Sequence, residues 1–445
     1  MKTLVKELEF YKPIKEIFDE LQNIPMSVFL DSSLENNLGR YSIIGYDPYL
    51  IVKQINNKLF VNEEERSESF EHFLSSYLKE NYEENTFNLP IISGGIGYLS
   101  YEYGHKFENI KTRHKSSNSI PQAIFCFYNN FIIEDLENKR LFITSRSHDG
   151  LSSIEDLIKM DSKIEIPISN EKGVFEANFT KENYMKSIKS MIKYIIEGDI
   201  YIANMTQQLK ITSKKHPYKV FEDLRINNPS PFGGYLNYGD FQIVCASPER
   251  FLKMENGLIE TRPIKGTIRR GSTIEEDAKL KKELQNSEKD KSELLMIVDL
   301  ERNDLNRICI PGSVKVTENF AIEEYATVFH LVSTVVGKQR PDLDIADLIK
   351  AVFPGGSIAG APKIRAMEII DELENDGRGI YTGSIGYMGL DGKCDFNIVI
   401  RTALHINEEY KLGVGGGITC ESDPESEYEE TLQKAKAILK ALECI

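Results

Sequence analysis

Lys265 stands between Ile264 and Gly266-Thr267, where a buried strand end would strip water from its ammonium and make it nucleophilic at neutral pH. The same stretch, Thr261-Arg262-Pro263-Ile264-Lys265-Gly266-Thr267, also reads as a surface strand end with a solvated lysine. Glu249, in Ser247-Pro248-Glu249-Arg250, closes an apolar run. Half-buried there it suits general-acid work, and paired with Arg250 it is an ordinary turn residue. Glu293 falls in the apolar end of a helical pattern beside Leu294, Leu295 and Ile297, a place where a carboxylate needs a cation, an arginine or a metal. Glu427 and Glu430 share one helix face, with Lys434 a turn beyond. Hard oxygen donors of this kind suit Mg²⁺, and an isolated Glu-x-x-Glu also describes any solvated acidic face.

Further candidates lie between these. His330 interrupts the apolar run Tyr325 to Val332, as a site group or as a satisfied core histidine. Arg401 alternates out of the apolar run Phe396 to Thr402, and a buried arginine usually answers a carboxylate. Pro354-Gly355-Gly356-Ser357-Ile358-Ala359-Gly360-Ala361-Pro362-Lys363 leads into a helical pattern, so it is an anion cradle or a plain tight turn. It lacks the Gly-Lys-Ser/Thr of a nucleotide loop. Gly415-Gly416-Gly417 lets a ligand approach the backbone, but the third spaced glycine of a dinucleotide fingerprint is missing.

The elements that must position these residues follow from apolar spacing. Ile14 to Leu21, Phe70 to Leu78, a segment from Thr180 to Ile196, Asp277 to Val298 and Pro424 to Leu442 have helical patterns. Met26 to Leu30, Arg40 to Gly45, Pro48 to Val52, Lys58 to Val61, Gly94 to Tyr101, Ala123 to Ile133 and Leu141 to Ser145 read as strands. So do Ile200 to Gln207, Phe241 to Ala246, Tyr381 to Tyr387, Phe396 to Thr402 and Leu412 to Ile418. Periodicity is lost from Asp161 to Phe175, which marks a boundary. Ile385-Gly386-Tyr387 echoes Ile96-Gly97-Tyr98, a weak sign of two related halves.

The 445 residues exceed ordinary single-domain size, and 41% apolar residues suffice for a large core. A net charge of -15 argues against nucleic-acid binding. Six scattered cysteines without Cys-x-x-Cys point to reduced thiols and a cytoplasmic home. Neither a signal peptide nor a membrane-spanning apolar run is present.

Taken in order, Pro-Ile-Lys-Gly-Thr, Glu-Leu-Leu-Met-Ile-Val-Asp-Leu-Glu-Arg-Asn-Asp, Phe-His-Leu-Val-Ser, Pro-Gly-Gly-Ser-Ile-Ala-Gly-Ala-Pro-Lys, Val-Ile-Arg-Thr and Gly-Gly-Gly-Ile before Glu-Tyr-Glu-Glu-Thr resemble the chorismate-utilising enzymes. The resemblance spans residues 175–445, a chorismate-binding catalytic region, and more weakly an N-terminal region of residues 1–165 through Leu38 to Ser42 and Gly95 to Tyr98. It implies an α+β fold, with large antiparallel sheets stacked as a sandwich, helices outside and the two regions intertwined.

Lysine at position 265 resembles the branch that aminates chorismate at C4, where the anthranilate branch usually has alanine. The resemblance implies that Glu249 protonates the departing hydroxyl while Lys265 attacks C2. It implies Mg²⁺ on Glu293 and Glu430 with Glu427 near, and Arg401, Tyr381 and the backbone of Gly415, Gly416 and Gly417 on the enolpyruvyl carboxylate. Gly266, Thr267, His330, Ser357 and Lys434 would line the site. Gln207 stands where water-adding relatives have a lysine base. Ammonia would come from a separate glutaminase subunit in a heterodimer. Ser357 replaces the threonine of many relatives, and Asp31 departs from the Leu-Leu-Glu-Ser of a tryptophan pocket. The competing readings are an anthranilate synthase large subunit, which Lys265 disfavours, and a non-catalytic ligand-binding homologue, which the full set Glu249, Lys265, Glu293 and Glu430 disfavours.

Overall fold

Two runs that the sequence separates at Asp47-Pro48 form one strand, Tyr41–Ile55, in the computed structural model. Asp47 takes a φ of 55°, and Pro48, which has no N–H for a ladder, sits at a register shift opposite the strand Ala123–Asp135. The bend keeps the pairing going where a break was expected. Asn56 and Asn57, both at positive φ, then turn the chain into the strand Lys58–Val61, as the spacing predicts. The structure describes residues 2–34, 38–114, 120–160, 166, 171–325 and 328–445. The boundary expected from Asp161 to Phe175 falls mostly outside these residues, as do Ala326 and Thr327.

Every strand pairing among the described residues is antiparallel, and the strands form one continuous hydrogen-bonded system. Strands from the N-terminal region (residues 1–165) pair directly with strands from the region that follows (residues 175–445). Ser27–Asp31 lies against Phe232–Asn237, and Gly94–Leu99 against Ser384–Gly389. The repeated Ile-Gly-Tyr therefore marks two neighbouring strands, with Gly97 opposite Gly386. A Cβ on Gly97 would stand 1.8 Å from the Ile124 carbonyl oxygen, and one on Gly386 2.1 Å from that of Asp395. Glycine is what lets these backbones close up.

One core layer comes almost wholly from strands, with Val28, Ile43, Tyr98, Ile124, Ile243 and Ile385 buried face to face. The helices Ile14–Leu21, Pro217–Asn227 and Pro424–Ala441 cover a second layer. Phe70–Glu80, Glu288–Asn306, Ile345–Val352 and Lys363–Leu373 cover a third. This is an α+β sandwich with outer helices. No helix among the described residues is long and apolar enough to cross a membrane.

The helices mostly follow the predicted spacing. Thr180 caps Lys181–Ile196 by accepting from the Asn183 N–H at 3.3 Å. The single helix expected from Asp277 to Val298 is instead two, Ile274–Asn286 and Glu288–Asn306. Ser287 breaks them, because its hydroxyl accepts from the Asp290 N–H at 3.3 Å and starts the second helix.

The Gly97 contact can be tested alone. Gly97→Ala is expected to lower the unfolding free energy in chemical denaturation by about 2 kcal/mol or more, since the obstructing atoms are backbone and cannot rotate away. A loss within experimental error of zero would show that the strands tolerate separation.

Candidate active site

Lys265 is carried by the strand Ile264–Arg269, which pairs with Val328–Lys338. Gly266, at φ 71°, is the extra residue of a bulge: Lys265 pairs with Leu331 and Thr267 with His330. The Lys265 Nζ donates to the Ser357 carbonyl at 3.4 Å and lies 3.3 Å from where a Cβ on Gly417 would be. Burial lowers its pKa, against the opposing pull of Glu293, Glu249 and Glu430. A lysine so placed is not a solvated strand end.

Glu249 lies in the turn between the strands Gln242–Ser247 and Arg250–Glu255. Arg250, its expected partner in the bland reading, turns instead to Asp395 and Glu260. The Oε1 of Glu249 accepts from the Ser357 hydroxyl at 2.8 Å. Burial pushes its pKa up to about 7, while the Ser357 bond and the charges of Lys265 and Lys434 hold it from rising further. Ser357 thus serves both candidates, its hydroxyl on Glu249 and its carbonyl on Lys265. Asn204 Nδ2 donates to that same carbonyl at 3.3 Å, a neighbour of Lys265 that sequence reasoning missed.

The glycine-rich turn is tightly packed. A Cβ on Gly355 would meet Ile398 at 3.0 Å, one on Gly356 would meet Leu300 at 2.6 Å, and one on Gly360 the Ile202 carbonyl oxygen at 2.3 Å. These glycines allow close packing. The helix itself begins at Lys363, whose ammonium is buried against Asp304 and the Val352 carbonyl. Ser357 is what the turn presents.

Gly415, Gly416 and Gly417 lie in the strand Glu409–Ile418, paired with Ile202–Thr212. A Cβ on Gly416 would stand 3.1 Å from Glu427 Oε2, 3.7 Å from Glu430 Oε1 and 3.7 Å from Lys434 Nζ. Lys434 donates to the Gly415 carbonyl at 2.8 Å and pairs with Glu430 at 2.7 Å. Glu427 accepts from the Ser422 hydroxyl at 2.7 Å. Burial raises the Glu427 pKa and Glu430 adds to it; burial also pushes on Glu430, but Lys434 holds that carboxyl below its ordinary value. Glu293, raised by burial, feels Lys265 and Lys289 on one side and Asp290 and Glu427 on the other.

The three glutamates therefore share one electrostatic neighbourhood. Among the described residues no three acidic, histidine or cysteine side chains are drawn into one ligand cluster. Their oxygens fit a hard divalent cation in kind, and two of them converge on Gly416.

The remaining residues ring the same space or stand behind it. His330 Nδ1 is 2.8 Å from the Thr267 hydroxyl, while its buried Nε2 has no partner among the described residues. Burial, then Arg401, lowers its pKa to about 3, so the imidazole is neutral. It is not a satisfied core histidine. Arg401 does not alternate out of a strand: at φ 50° it breaks the expected run into Cys394–Asn397 and Thr402–Ile406. Among the described residues no carboxylate forms an ion pair with it, although Glu249 is felt at longer range. Tyr381 precedes the strand Ser384–Gly389, and its ring fills the space a Gly413 Cβ would take. Gln207 Nε2 donates to the Thr431 hydroxyl at 2.6 Å, and its buried Oε1 has no partner among the described residues.

A cavity of about 310 Å³ lies away from these groups, lined by Asp31, Arg40, Lys253, Tyr387, Lys393 and Asp395 among others. There Asp31 is engaged by Arg225 at 3.0 Å. The Lys265 side has the convergent acid and lysine, with buried polar atoms of His330 and Gln207 that lack a partner among the described residues, and these mark it as the candidate site.

A lysine and a buried carboxyl joined through Ser357, on an antiparallel sandwich with outer helices, mark the site of an enzyme. The chain belongs to the chorismate binding enzyme family, which matches residues 30–440, and it is an enzyme that acts on chorismate. It is 37% identical over 425 residues to aminodeoxychorismate synthase component 1 of Bacillus subtilis, covering 91% of this chain and 90% of that one. It is 33% identical over 482 residues to anthranilate synthase component 1 of Acetivibrio thermocellus, covering 100% and 97%. Its fold matches the crystal structure of anthranilate synthase component I from Streptococcus pneumoniae with a TM-score of 0.80 at 30% identity, over 91% and 93% of the two chains.

The raised Glu249 pKa fixes the sign of a pH effect. Turnover that needs the protonated acid falls as pH rises through about 7. Glu249→Gln should remove that alkaline limb from the kcat/KM profile and cost about hundredfold or more in rate. Because the folded value lies above the ordinary 4.5, native stability owed to the protonated form is full below 4.5 and lost as pH rises through about 7. Denaturation midpoints of Glu249→Gln should be flatter across that window; an unchanged slope would assign the stability loss to another group.

Proposed function

We propose that this enzyme aminates chorismate at C4 to give 4-amino-4-deoxychorismate, the precursor of p-aminobenzoate and folate. One observation carries the reading: a dehydrated lysine and a carboxyl protonated near neutrality meet across Ser357. As a free amine, Lys265 adds to C2, the ring double bonds shift, and the C4 hydroxyl leaves as water with the Glu249 proton. Ammonia then bonds to C4 and the lysine nitrogen departs from C2. Glu249, now anionic, takes a proton from the incoming nitrogen, so amine and acid are restored together.

Chorismate's two carboxylates have natural holders. Arg401, without a carboxylate of its own, faces the enolpyruvyl group with Tyr381 and the backbone of Gly415, Gly416 and Gly417. Mg²⁺ on Glu293 and Glu430, with Glu427 near, would neutralise the ring carboxylate. Gly266, Thr267, His330, Ser357, Lys434 and Gln207 complete the wall. Gln207 has no basic nitrogen, which speaks against activation of water and formation of isochorismate.

The words "component 1" in the relative's name support a separate glutaminase subunit, a heterodimer in which glutamine supplies the ammonia. The free cysteines support a cytoplasmic setting. A second reading, amination at C2 with pyruvate release, is favoured by the full-length match to an anthranilate synthase. Lys265 opposes it, because a lysine bonded to C2 blocks ammonia there.

A product assay with chorismate, Mg²⁺ and ammonium separates the two. The expected result is a 4-amino product by mass and no pyruvate; anthranilate with pyruvate would overturn the assignment. Lys265→Ala should fold normally and lose about hundredfold or more in 4-amino product. Full turnover in that variant would exclude the covalent route. Glu430→Gln should lose Mg²⁺-dependent turnover, and activity unaffected by chelation would reject the ligand set.

A further inference from the structure

Glu301 lies on the helix Glu288–Asn306, about two turns beyond Glu293, and is buried. Its Oε2 is 2.7 Å from the Thr261 hydroxyl oxygen, which is itself 2.9 Å from the Phe251 carbonyl oxygen. A threonine hydroxyl has one hydrogen, and a carbonyl has none. Two contacts this short need a hydrogen in each, or one sets lone pair against lone pair. If Thr261 donates to Phe251, the other hydrogen must sit on Glu301.

The surroundings agree with an uncharged acid. Phe251, Leu252, Leu305 and Val352 line the small cavity it shares with Asp304. The charged groups that face Glu301 are Glu249, Asp304 and Lys363, with Arg307 and Glu108 beyond Asp304. The one cation among the near groups is taken, since Lys363 is bonded to Asp304. Burial pushes the Glu301 pKa up to about 8, and Glu249 and Asp304 push the same way, against the Thr261 bond and Lys363.

The contact also sits behind both reacting groups. Thr261 is four residues before Lys265, and Phe251 is two after Glu249. Gly356, another wall of the cavity, immediately precedes the Ser357 that donates to Glu249.

We propose that Glu301 is a neutral carboxylic acid in the working enzyme, donating its proton to Thr261, and that it is a positioning residue for Glu249 and Lys265. Its proton fixes the Thr261 hydroxyl on Phe251, where the strand Arg250–Glu255 shifts register between Arg250 and Leu252. Its neutrality leaves the single anionic charge of the cycle to Glu249. An ionised Glu301 would set a second anion behind the acid and oppose its discharge.

The protonation arm of the test needs no turnover and so stands apart from the reaction assigned above. Infrared spectra of the substrate-free protein at about pH 6, where exposed carboxyls are ionised, should show a protonated-carboxyl C=O band that Glu301→Gln removes. Subtracting the two spectra cancels Glu249. The kinetic arm compares Glu301→Gln, whose amide can still donate to Thr261, with Glu301→Leu, which cannot. Leucine should lower kcat about tenfold or more with the chorismate KM within about twofold, and glutamine should restore most of that loss. No band lost in Glu301→Gln overturns the proposal. So does a glutamine variant as slow as the leucine one, or an alkaline limb displaced downward by about one pH unit, the result of deleting an anion beside Glu249.

Discussion

Arg378 is buried and spends all five of its N–H donors within the protein. Two go to the carboxylate of Glu374 at 2.7 and 3.0 Å, and the others to the carbonyls of Ile358 and Asn204 and the hydroxyl of Thr382. Glu374 in turn accepts from the Thr206 N–H at 3.0 Å. One ion pair thereby joins the strand Ile202–Thr212, the turn that carries Ser357 and the loop that carries Tyr381. Its guanidinium also lies 4.6 Å from the centre of the Tyr101 ring, which reaches the N-terminal part of the chain. A buried pair of this kind adds little net stability, but losing one partner strands a charge at a cost of about 3–5 kcal/mol. That penalty holds Asn204, Ser357 and Tyr381 in fixed relation around Lys265.

Within that frame, distance decides the protonation states. Among the described residues Lys265 makes no ion pair within 4 Å, and neither does Glu249. A direct bridge between them would favour ammonium and carboxylate, the wrong forms for an attacking amine and a proton donor. Ser357 prevents this by meeting Glu249 with its hydroxyl and Lys265 with its carbonyl, so each is hydrogen-bonded and neither is neutralised by the other. Burial then moves the two pKa values toward each other, the acid upward and the amine downward. The chain's net charge of -15 is irrelevant at this range, because the local field is set by groups within a few ångströms.

What was legible in the sequence is what local rules control. Amphipathic spacing located the helices Phe70–Glu80 and Pro424–Ala441, and Asn56-Asn57 announced its hairpin. Lys265 and Glu249 were visible as charges at the ends of apolar runs, whereas Glu427 and Glu430 follow helical spacing and by themselves look like any solvated acidic face. The Ser287 break was hidden, since apolar spacing continues through a capping serine. The left-handed turn at Arg401 was hidden for a similar reason, because the alternation on either side implies one strand. Asn204 carried no signal, and Arg378 only that of a helix-spaced partner at Glu374, since what they join lies 153 and 174 residues away in the chain. Gly355, Gly356 and Gly360 were conspicuous but ambiguous: a glycine needed for close packing, as these are, looks in sequence like one needed for a ligand.

The helix Glu288–Asn306 shows how a chain this acidic can build an acid site. It carries Glu293 within reach of Lys265's charge and then runs behind Glu249, where any further negative charge would make proton release harder. Two acidic residues nonetheless lie buried on that inner stretch, one turn apart, and each is handled differently. Asp304 meets the buried ammonium of Lys363, so the pair carries no net charge into the core. Among the described residues Glu301 forms no ion pair, and it faces a hydroxyl whose one hydrogen has another acceptor at 2.9 Å. Neutralisation by a partner and neutralisation by a proton leave the same result. On the proposed reading the helix carries one charged carboxylate, Glu293, toward Lys265 and is electrically silent where it passes Glu249.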